Sequence, residues 1–215
     1  MSAMEVQVPL RRPDSTRERI LREASEMFVR RGYSGTSTRD IAAAVGIRQP
    51  SLFHHFPNKA AIADELMEYA VGTTLVQIRR IATMDEPASV RLYAFCRWAM
   101  VHVVTAPYRL VGLVEYEFLT MPEGRAWLPR LNEVTHYMLR MLSDGMDSGE
   151  FIEEDLEFLR MMVVGALNAH HLNEVILERT DIPADAARGA DFILRGLLRD
   201  SSRLSDIRRD ADLLI

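Results

Sequence analysis

The sequence has a single cysteine, Cys96, among its 215 residues. One cysteine cannot form a disulfide within the chain, and no pair of metal-ligating residues stands near it, so nothing favours an oxidising compartment. The usual role of such a thiol is that of a small buried apolar side chain.

Long apolar segments are also missing. Met161–Leu167, one of the best candidates, has seven residues, whereas a helix needs roughly 20 to span a bilayer. The first twelve residues hold no apolar core of a secretory leader. Glycine and proline are few, at 11 and 9, which excludes collagen-like and low-complexity classes. These absences predict a globular, cytoplasmic protein with no membrane partner.

The formal net charge of −5 argues against a nucleic-acid partner only if the charge is spread evenly. It is not spread evenly, because residues 1–59 carry ten basic and six acidic side chains and residues 60–215 carry sixteen and twenty-five. The first segment is therefore +4 and the second −9. Lys59 is the only lysine, and the other 25 basic residues are arginine.

Apolar residues recur at helical spacing along nearly the whole chain, and no segment shows the sustained alternation of a strand. The pattern predicts an all-α fold. Ser15 with Glu18, and Ser37 with Asp40, have the spacing of helix-capping pairs. The predicted helices span residues 15–31, 37–45, 49–55, 59–80, 88–105, 107–119, 123–147, 153–179 and 184–199. The last seventeen residues form either a frayed tail or a terminal helical turn.

The second and third predicted helices are joined by a tight turn around Gly46, which is the helix-turn-helix arrangement. In this arrangement the second helix enters the major groove, and its N-terminal residues face the bases. Gln49 carries the donor and acceptor that pair with adenine, and arginine donors pair with guanine. The small basic head of the chain therefore has the chemistry of a DNA reader.

The segment STRDIAAAVGIRQPSLFHHFPNK (37–59) resembles the signature of TetR-family transcriptional regulators, and MFVRRGYSGT (27–36) resembles the end of that family's first helix. The resemblance covers about 55 residues. It implies a helix-turn-helix DNA-binding domain at 13–59 and a helical-bundle domain for ligand binding and dimerisation at 60–215. It further implies a homodimer on double-stranded operator DNA and a small, largely apolar ligand.

The resemblance and the chemistry of the exposed side chains together divide the head residues into two groups. The predicted base-reading residues are Arg39, Arg48, Gln49, Pro50 and Ser51. The predicted phosphate-binding residues are Ser37, Thr38, His54, His55 and Lys59. Alternatively, the His55 side chain packs inside the head.

Two positions depart from the family pattern. Phe53 stands where the family commonly has a tyrosine that uses its hydroxyl on a phosphate, so that contact is absent here. Arg48 stands where relatives often have a small or acidic residue. It either selects guanine or strengthens binding to the DNA backbone, and the operator cannot be copied from a relative.

The body has no motif of its own, but it is rich in methionine and large apolar side chains. Methionine lines adaptable cavities, although it fills gaps in ordinary cores more often. The predicted pocket residues are Met100, His102, Leu113, Tyr116, Trp127, Met138 and Asn168. We predict no cofactor.

Small residues at helical spacing near the C-terminus predict a close helix-to-helix contact. They belong either to an ordinary core or to a four-helix dimer interface, and the second interpretation is favoured because two reading heads must be about 34 Å apart. The predicted interface residues are Gly165, Ala166, Ala169, Ala186, Ala190, Ile193 and Leu197.

No motif in the sequence indicates catalysis. Glu133 and His136 have the spacing of one half of a di-iron site, but no second Glu-x-x-His exists. His170, His171 and Glu174 give only a loose cluster. A helical-bundle enzyme is therefore the weakest hypothesis. The main alternative to a ligand-responsive repressor is a ligand-independent or architectural DNA-binding dimer.

Overall fold

The computed structural model describes residues 14–109, 116–174 and 181–214. Within these ranges the chain forms α-helices, two short helical turns of other types and one isolated β-bridge between Phe151 and Leu198. The predicted all-α class, with a helix-turn-helix head and a helical body, is confirmed. Across the described helices no segment is both long and apolar enough to cross a membrane.

Three helices form the head: α1 (Thr16–Arg31), α2 (Thr38–Val45) and α3 (Gln49–His55). The first two begin at capping boxes, as their sequences predict. The Glu18 amide donates to Ser15 Oγ at 3.2 Å, and the Asp40 amide donates to Ser37 Oγ at the same distance. Gly46 ends α2 with φ of +75°, a left-handed backbone that favours glycine. This turn sets the angle between α2 and α3.

A long connecting helix follows the head. It consists of α4 (Lys59–Met67), a π-helical turn (Glu68–Gly72) and α5 (Thr73–Ala82), where the sequence predicts one helix over 59–80. A π-helical turn inserts one extra residue and often occurs at functional sites. The connecting helix therefore changes register at its middle, next to the chain's body.

The body surrounds α6 (Ala88–Thr105), whose predicted bounds are correct. The predicted helix 123–147 is interrupted, giving α8 (Pro122–Arg125) and α9 (Leu128–Asp147) with Trp127 between them. The remaining body helices are α7 (Tyr116–Thr120), α10 (Leu156–Glu174), α11 (Ile182–Leu197) and α12 (Leu204–Ala211).

Two further predicted segments differ from the structure. Residues 107–109, the start of the predicted helix 107–119, are not helical, and 110–115 lie outside the described residues. The C-terminal segment is a 3-10 turn (Ser201–Arg203) followed by α12, because Leu204, Ile207 and Ala211 bury against the body core.

The buried apolar side chains form two clusters. One lies in the body around α6. The other begins in the head, with Ile20, Phe28 and Leu52, and continues into α4 and on to Phe118 and Trp127. The domain boundary predicted after Lys59 thus falls inside one hydrophobic cluster.

Candidate nucleic-acid interface and ligand chamber

The third helix presents one buried and one exposed face. Leu52 is fully buried, as is Phe56 just after the helix, whereas Pro50, Ser51 and the histidines His54 and His55 are exposed. His55 therefore does not pack inside the head. The exposed face of α3 is available to a major groove, as a recognition helix requires.

Two arginines flank this face. Arg39 and Arg48 are both exposed, and neither forms an ion pair with any residue in the described ranges. Arg48 is the N-cap residue of α3. Both guanidinium groups can therefore reach a base edge or a phosphate without first breaking an ion pair to a described residue.

The amino ends of α2 and α3 are joined by a side-chain hydrogen bond. Gln49 Nε2 donates to Thr38 Oγ1 at 3.0 Å, and both residues are partly buried. The bond brings a predicted base-reading residue and a predicted phosphate-binding residue into direct contact. Ser37, also predicted to face phosphate, is exposed beside them and caps α2.

Lys59 has a role that its sequence position does not reveal. Its Nζ donates to the carbonyl oxygens of Tyr33 at 2.7 Å and Thr36 at 2.9 Å, and it lies 4.0 Å from the centre of the Tyr33 ring. Burial lowers the pKa of Lys59, and the charge of Glu123 opposes this shift. The ammonium therefore holds the turn between α1 and α2, whereas a contact with phosphate remains a prediction.

Arg17 supports the end of α3, which the sequence analysis missed. Its guanidinium lies 4.2 Å from the centre of the Phe56 ring, donates to the His55 carbonyl oxygen at 3.2 Å and pairs with Glu65. Arg17 of α1 thus joins the C-terminal end of α3 to α4. An arginine in the first turn of a helix is typical of an exposed surface, so the sequence did not indicate that Arg17 contacts the end of α3.

The body packs directly on the head. The Tyr33 and Phe118 rings lie 4.9 Å apart, and Trp127 Nε1 donates to Asp64 Oδ1 at 3.1 Å. Arg109 donates from its backbone amide to Ser25 Oγ at 3.1 Å and from Nε to Glu26 at 3.0 Å. The indole of Trp127 thus joins the body to the connecting helix, and its predicted role in a ligand pocket stays a prediction.

His102 lies in an aromatic stack between two helices. Its ring is 4.7 Å from Trp98 of α6 and 5.4 Å from Tyr69 of the π-helical turn, nearly parallel to both. Its Nε2 is buried and has no hydrogen-bond partner in the part of the chain that the structure describes. Burial lowers the pKa of His102, against a hydrogen bond with the Tyr69 backbone that raises it. A neutral imidazole with one free nitrogen suits the orientation of a small ligand.

An open groove of about 470 Å³ runs beside this stack. Tyr69 and Tyr108 line it together with Glu65, Glu68 and Val76 of the connecting helix. The two tyrosine rings meet edge to face at 5.4 Å. Tyr69 therefore contacts both the groove and His102. None of these lining residues was predicted, because polar and aromatic residues on a connecting helix also suit an ordinary surface.

The other predicted pocket residues do not converge on this place. Met100 is buried against Gly189, where an added Cβ would lie 2.5 Å from its sulfur, and Met138 belongs to the body core. Asn168 is exposed on α10. Leu113 and the side chain of Tyr116 lie outside the described residues. Among the predicted pocket residues whose side chains the structure describes, only His102 lies beside this groove, and the pocket assignment of the others stays a prediction.

The predicted interface residues separate into two groups. Ala186, Ala190, Ile193 and Leu197 are buried in the core of their own chain, against α6, so their assignment to a dimer interface is corrected. Gly165 and Ala169 are exposed on α10, and Ala166 is partly buried.

An exposed apolar stripe does run along α10. Its members are spaced as one helix face and include Met161 and Met162, which are 52% and 49% exposed. The stripe consists of Phe158, Met161, Met162, Gly165 and Ala169, and we call it the α10 stripe. On α11, Phe192 is 76% exposed. Two adjacent helices thus turn large apolar side chains away from the body core, and such surface marks an interface.

Neither Glu133, considered for a metal site, nor Cys96 is a free reactive group. Glu133 accepts from Arg79 at 2.6 Å, and burial raises the pKa of the Cys96 thiol to about 12. Over the ranges that the structure covers, no three histidine, cysteine, aspartate or glutamate residues are grouped so that they could hold a metal. His170 and His171 have side chains outside the described part.

The chain is similar to known bacterial regulators. Residues 20–66 match the family model described as bacterial regulatory proteins, tetR family. The HTH-type transcriptional repressor KstR2 of Rhodococcus jostii is 28% identical over 152 residues, which are 67% of this chain and 74% of that repressor.

Two solved structures extend the similarity to the body. AmtR of Mycobacterium smegmatis matches with a TM-score of 0.76 and 27% identity over 95% of this chain and 97% of its own. AibR, solved in complex with isovaleryl coenzyme A and operator DNA, matches with a TM-score of 0.65 and 21% identity over 81% of this chain and 95% of its own. At that identity AibR shows a shared fold.

The buried imidazole predicts how stability depends on pH. Because its pKa is lowered in the folded protein, the unfolded chain takes up the proton first as pH falls below the ordinary value of 6.5. The contribution of His102 to stability is thus complete above pH 6.5 and is lost progressively below it.

His102→Phe keeps an aromatic ring in the stack and removes this titration. Urea unfolding at pH 7.5 and pH 5.5, at one protein concentration, is expected to show a larger loss of stability for the wild type than for the variant. Equal losses would contradict a buried neutral His102.

Proposed function

The chain belongs to the TetR family of bacterial transcriptional regulators, and from this premise we propose that it is a homodimeric repressor that a small ligand releases from its operator. Regulators of this family bind DNA and are not enzymes. We expect the protein to act in the cytoplasm, where operator DNA lies.

The exposed face of α3 carries the proposal for DNA binding. We assign base reading to Arg39, Arg48, Gln49, Pro50 and Ser51, because they surround the amino end of a recognition helix whose opposite face is fixed in the core. Phosphate contacts by Ser37, Thr38, His54, His55 and Lys59 would position that helix without selecting sequence. Lys59 would do so with an ammonium that already bonds two carbonyl oxygens.

The proposed dimer uses the α10 stripe together with Phe192. A dimer of helix-turn-helix proteins reads two half-sites about one helical turn apart, roughly 34 Å. The exposed methionines and phenylalanines would be covered by the same surface of a second copy around a twofold axis. The small residues Gly165 and Ala169 would let the two α10 helices approach closely.

The proposed ligand is small and largely apolar, and it binds beside the aromatic stack of Tyr69 and His102. Binding there would favour one setting of the connecting helix and so one spacing of the two heads. A ligand that moves the population from almost all bound to almost all free must favour the released state by about 5.5 kcal/mol. A ligand-independent DNA-binding dimer is the alternative, and thermal-shift screening separates the two.

The DNA-reading assignment is tested by selecting bound sequences from a random duplex pool. Gln49→Ala is expected to change the preferred base at one position of each half-site, because the bidentate contact with a base edge is lost. The matched control is Gln77→Ala, the same change on α5, outside the head. Identical sequence preferences for Gln49→Ala and the wild type would contradict the assignment, and a wild-type pool without enrichment would contradict DNA reading altogether.

The dimer surface is tested by placing a charge on it. Phe192→Asp is expected to convert the protein to a monomer at micromolar concentration, because a carboxylate would be buried without a partner. Sedimentation velocity measures the change. Leu213→Asp is the matched control, since Leu213 is 83% exposed just after α12 and is not part of the proposed surface. A Phe192→Asp protein that remains dimeric would place the interface elsewhere.

A further inference from the structure

The hydrogen bond between Thr38 and Gln49 constrains which atoms of the Gln49 amide are left for DNA. A glutamine amide has two N–H donors on Nε2 and one acceptor oxygen, Oε1. One donor is taken by Thr38 Oγ1 at 3.0 Å. What remains is one donor and one acceptor, which match the N7 acceptor and the N6 donor of adenine in the major groove.

The opposite orientation of the amide would read a different base. With Oε1 turned toward Thr38, the two donors of Nε2 would face the DNA. Two donors match the N7 and O6 acceptors of guanine rather than the edge of adenine. Whether Nε2 or Oε1 of Gln49 bonds Thr38 Oγ1 therefore determines whether the amide matches adenine or guanine.

The hydroxyl of Thr38 can fix which of the two Gln49 atoms faces it. A hydroxyl has one donor and two acceptor lone pairs. If its proton is donated to a DNA phosphate, only a lone pair remains toward Gln49, and that lone pair requires a donor from Nε2. The phosphate contact and the amide orientation are then linked through one oxygen atom.

We propose that Thr38 is a positioning residue that fixes the orientation of the Gln49 amide and thereby favours adenine over guanine at the base pair that Gln49 reads. The proposal rests on the proposed function of this face as a DNA reader. Thr38 makes no base contact in this account. Thr38 is the first residue of α2, and it acts only through Gln49.

The test uses the full-length protein and the operator selected by the wild type. The position whose preference changes in Gln49→Ala identifies the base pair that Gln49 reads. Dissociation constants are then measured for duplexes with adenine or guanine at that position, for the wild type, Thr38→Ser, Thr38→Val, Gln49→Ala and the double variant Thr38→Val/Gln49→Ala. Thermal unfolding of each variant checks that the head is folded.

The wild type and Thr38→Ser, which keeps the hydroxyl, are expected to prefer adenine equally. Thr38→Val, which keeps the shape, is expected to lower that preference about three- to tenfold, as the loss of one hydrogen bond predicts. In the Gln49→Ala background, Thr38→Val is expected to leave the adenine-to-guanine ratio unchanged. The dependence of the Thr38→Val effect on Gln49 distinguishes a positioning role of Thr38 from a phosphate contact alone.

Three results would overturn the proposal. Thr38→Val could weaken both duplexes equally, which is the result of losing only a phosphate contact. It could change the ratio equally with and without Gln49, which would place its effect elsewhere. The selected operator could also carry a base other than adenine at the position that Gln49 reads. A wild-type pool without enrichment would instead overturn the proposed function itself.

Discussion

The ammonium of Lys59 is the contact on which the arrangement of the head depends. It bonds the carbonyl oxygens of Tyr33 and Thr36 and lies on the Tyr33 ring. It thereby ties the start of α4 to the turn that precedes α2. Because Thr38 follows Thr36 by two residues, the same contact places the end of α2 that bonds Gln49. The position of the exposed α3 face therefore depends on Lys59, which is partly buried.

The Tyr33 ring carries this constraint from the head into the body. It packs on Phe28 of α1 at 5.4 Å and on Phe118 of α7 at 4.9 Å. Further along the connecting helix, Asp64 bonds Trp127, and Tyr69 stacks on His102. Body contacts thus occur in α4, before the π-helical turn, and within the turn itself. A ligand beside Tyr69 would act on a helix whose other end is fixed to the reading head.

Local features of this fold could be predicted from sequence, whereas the direction of helix faces could not. Ser15 and Ser37 cap their helices because capping needs only residues three positions apart. The spacing of Ala186, Ala190 and Ile193 correctly indicates a buried helix face, but an apolar stripe does not say whether its own chain or a partner covers it. Lys59 was predicted to face phosphate from the family resemblance and from its place at the start of a helix. Its two carbonyl partners could not be predicted, because they are 23 and 26 positions away in the sequence.

Native-state hydrogen exchange of Lys59→Met tests the central claim most directly. Methionine matches the lysine chain as far as Cε, lacks the ammonium, and leaves two carbonyl oxygens without their donor. The account predicts that amides from the α1–α2 turn through α2 exchange roughly ten- to a hundredfold faster, while amides of α9 and α11 keep their rates. Arg31→Met, which removes an exposed charge nearby, is the control. Unchanged exchange in the head, with only weaker DNA binding, would contradict the claim and assign Lys59 to phosphate.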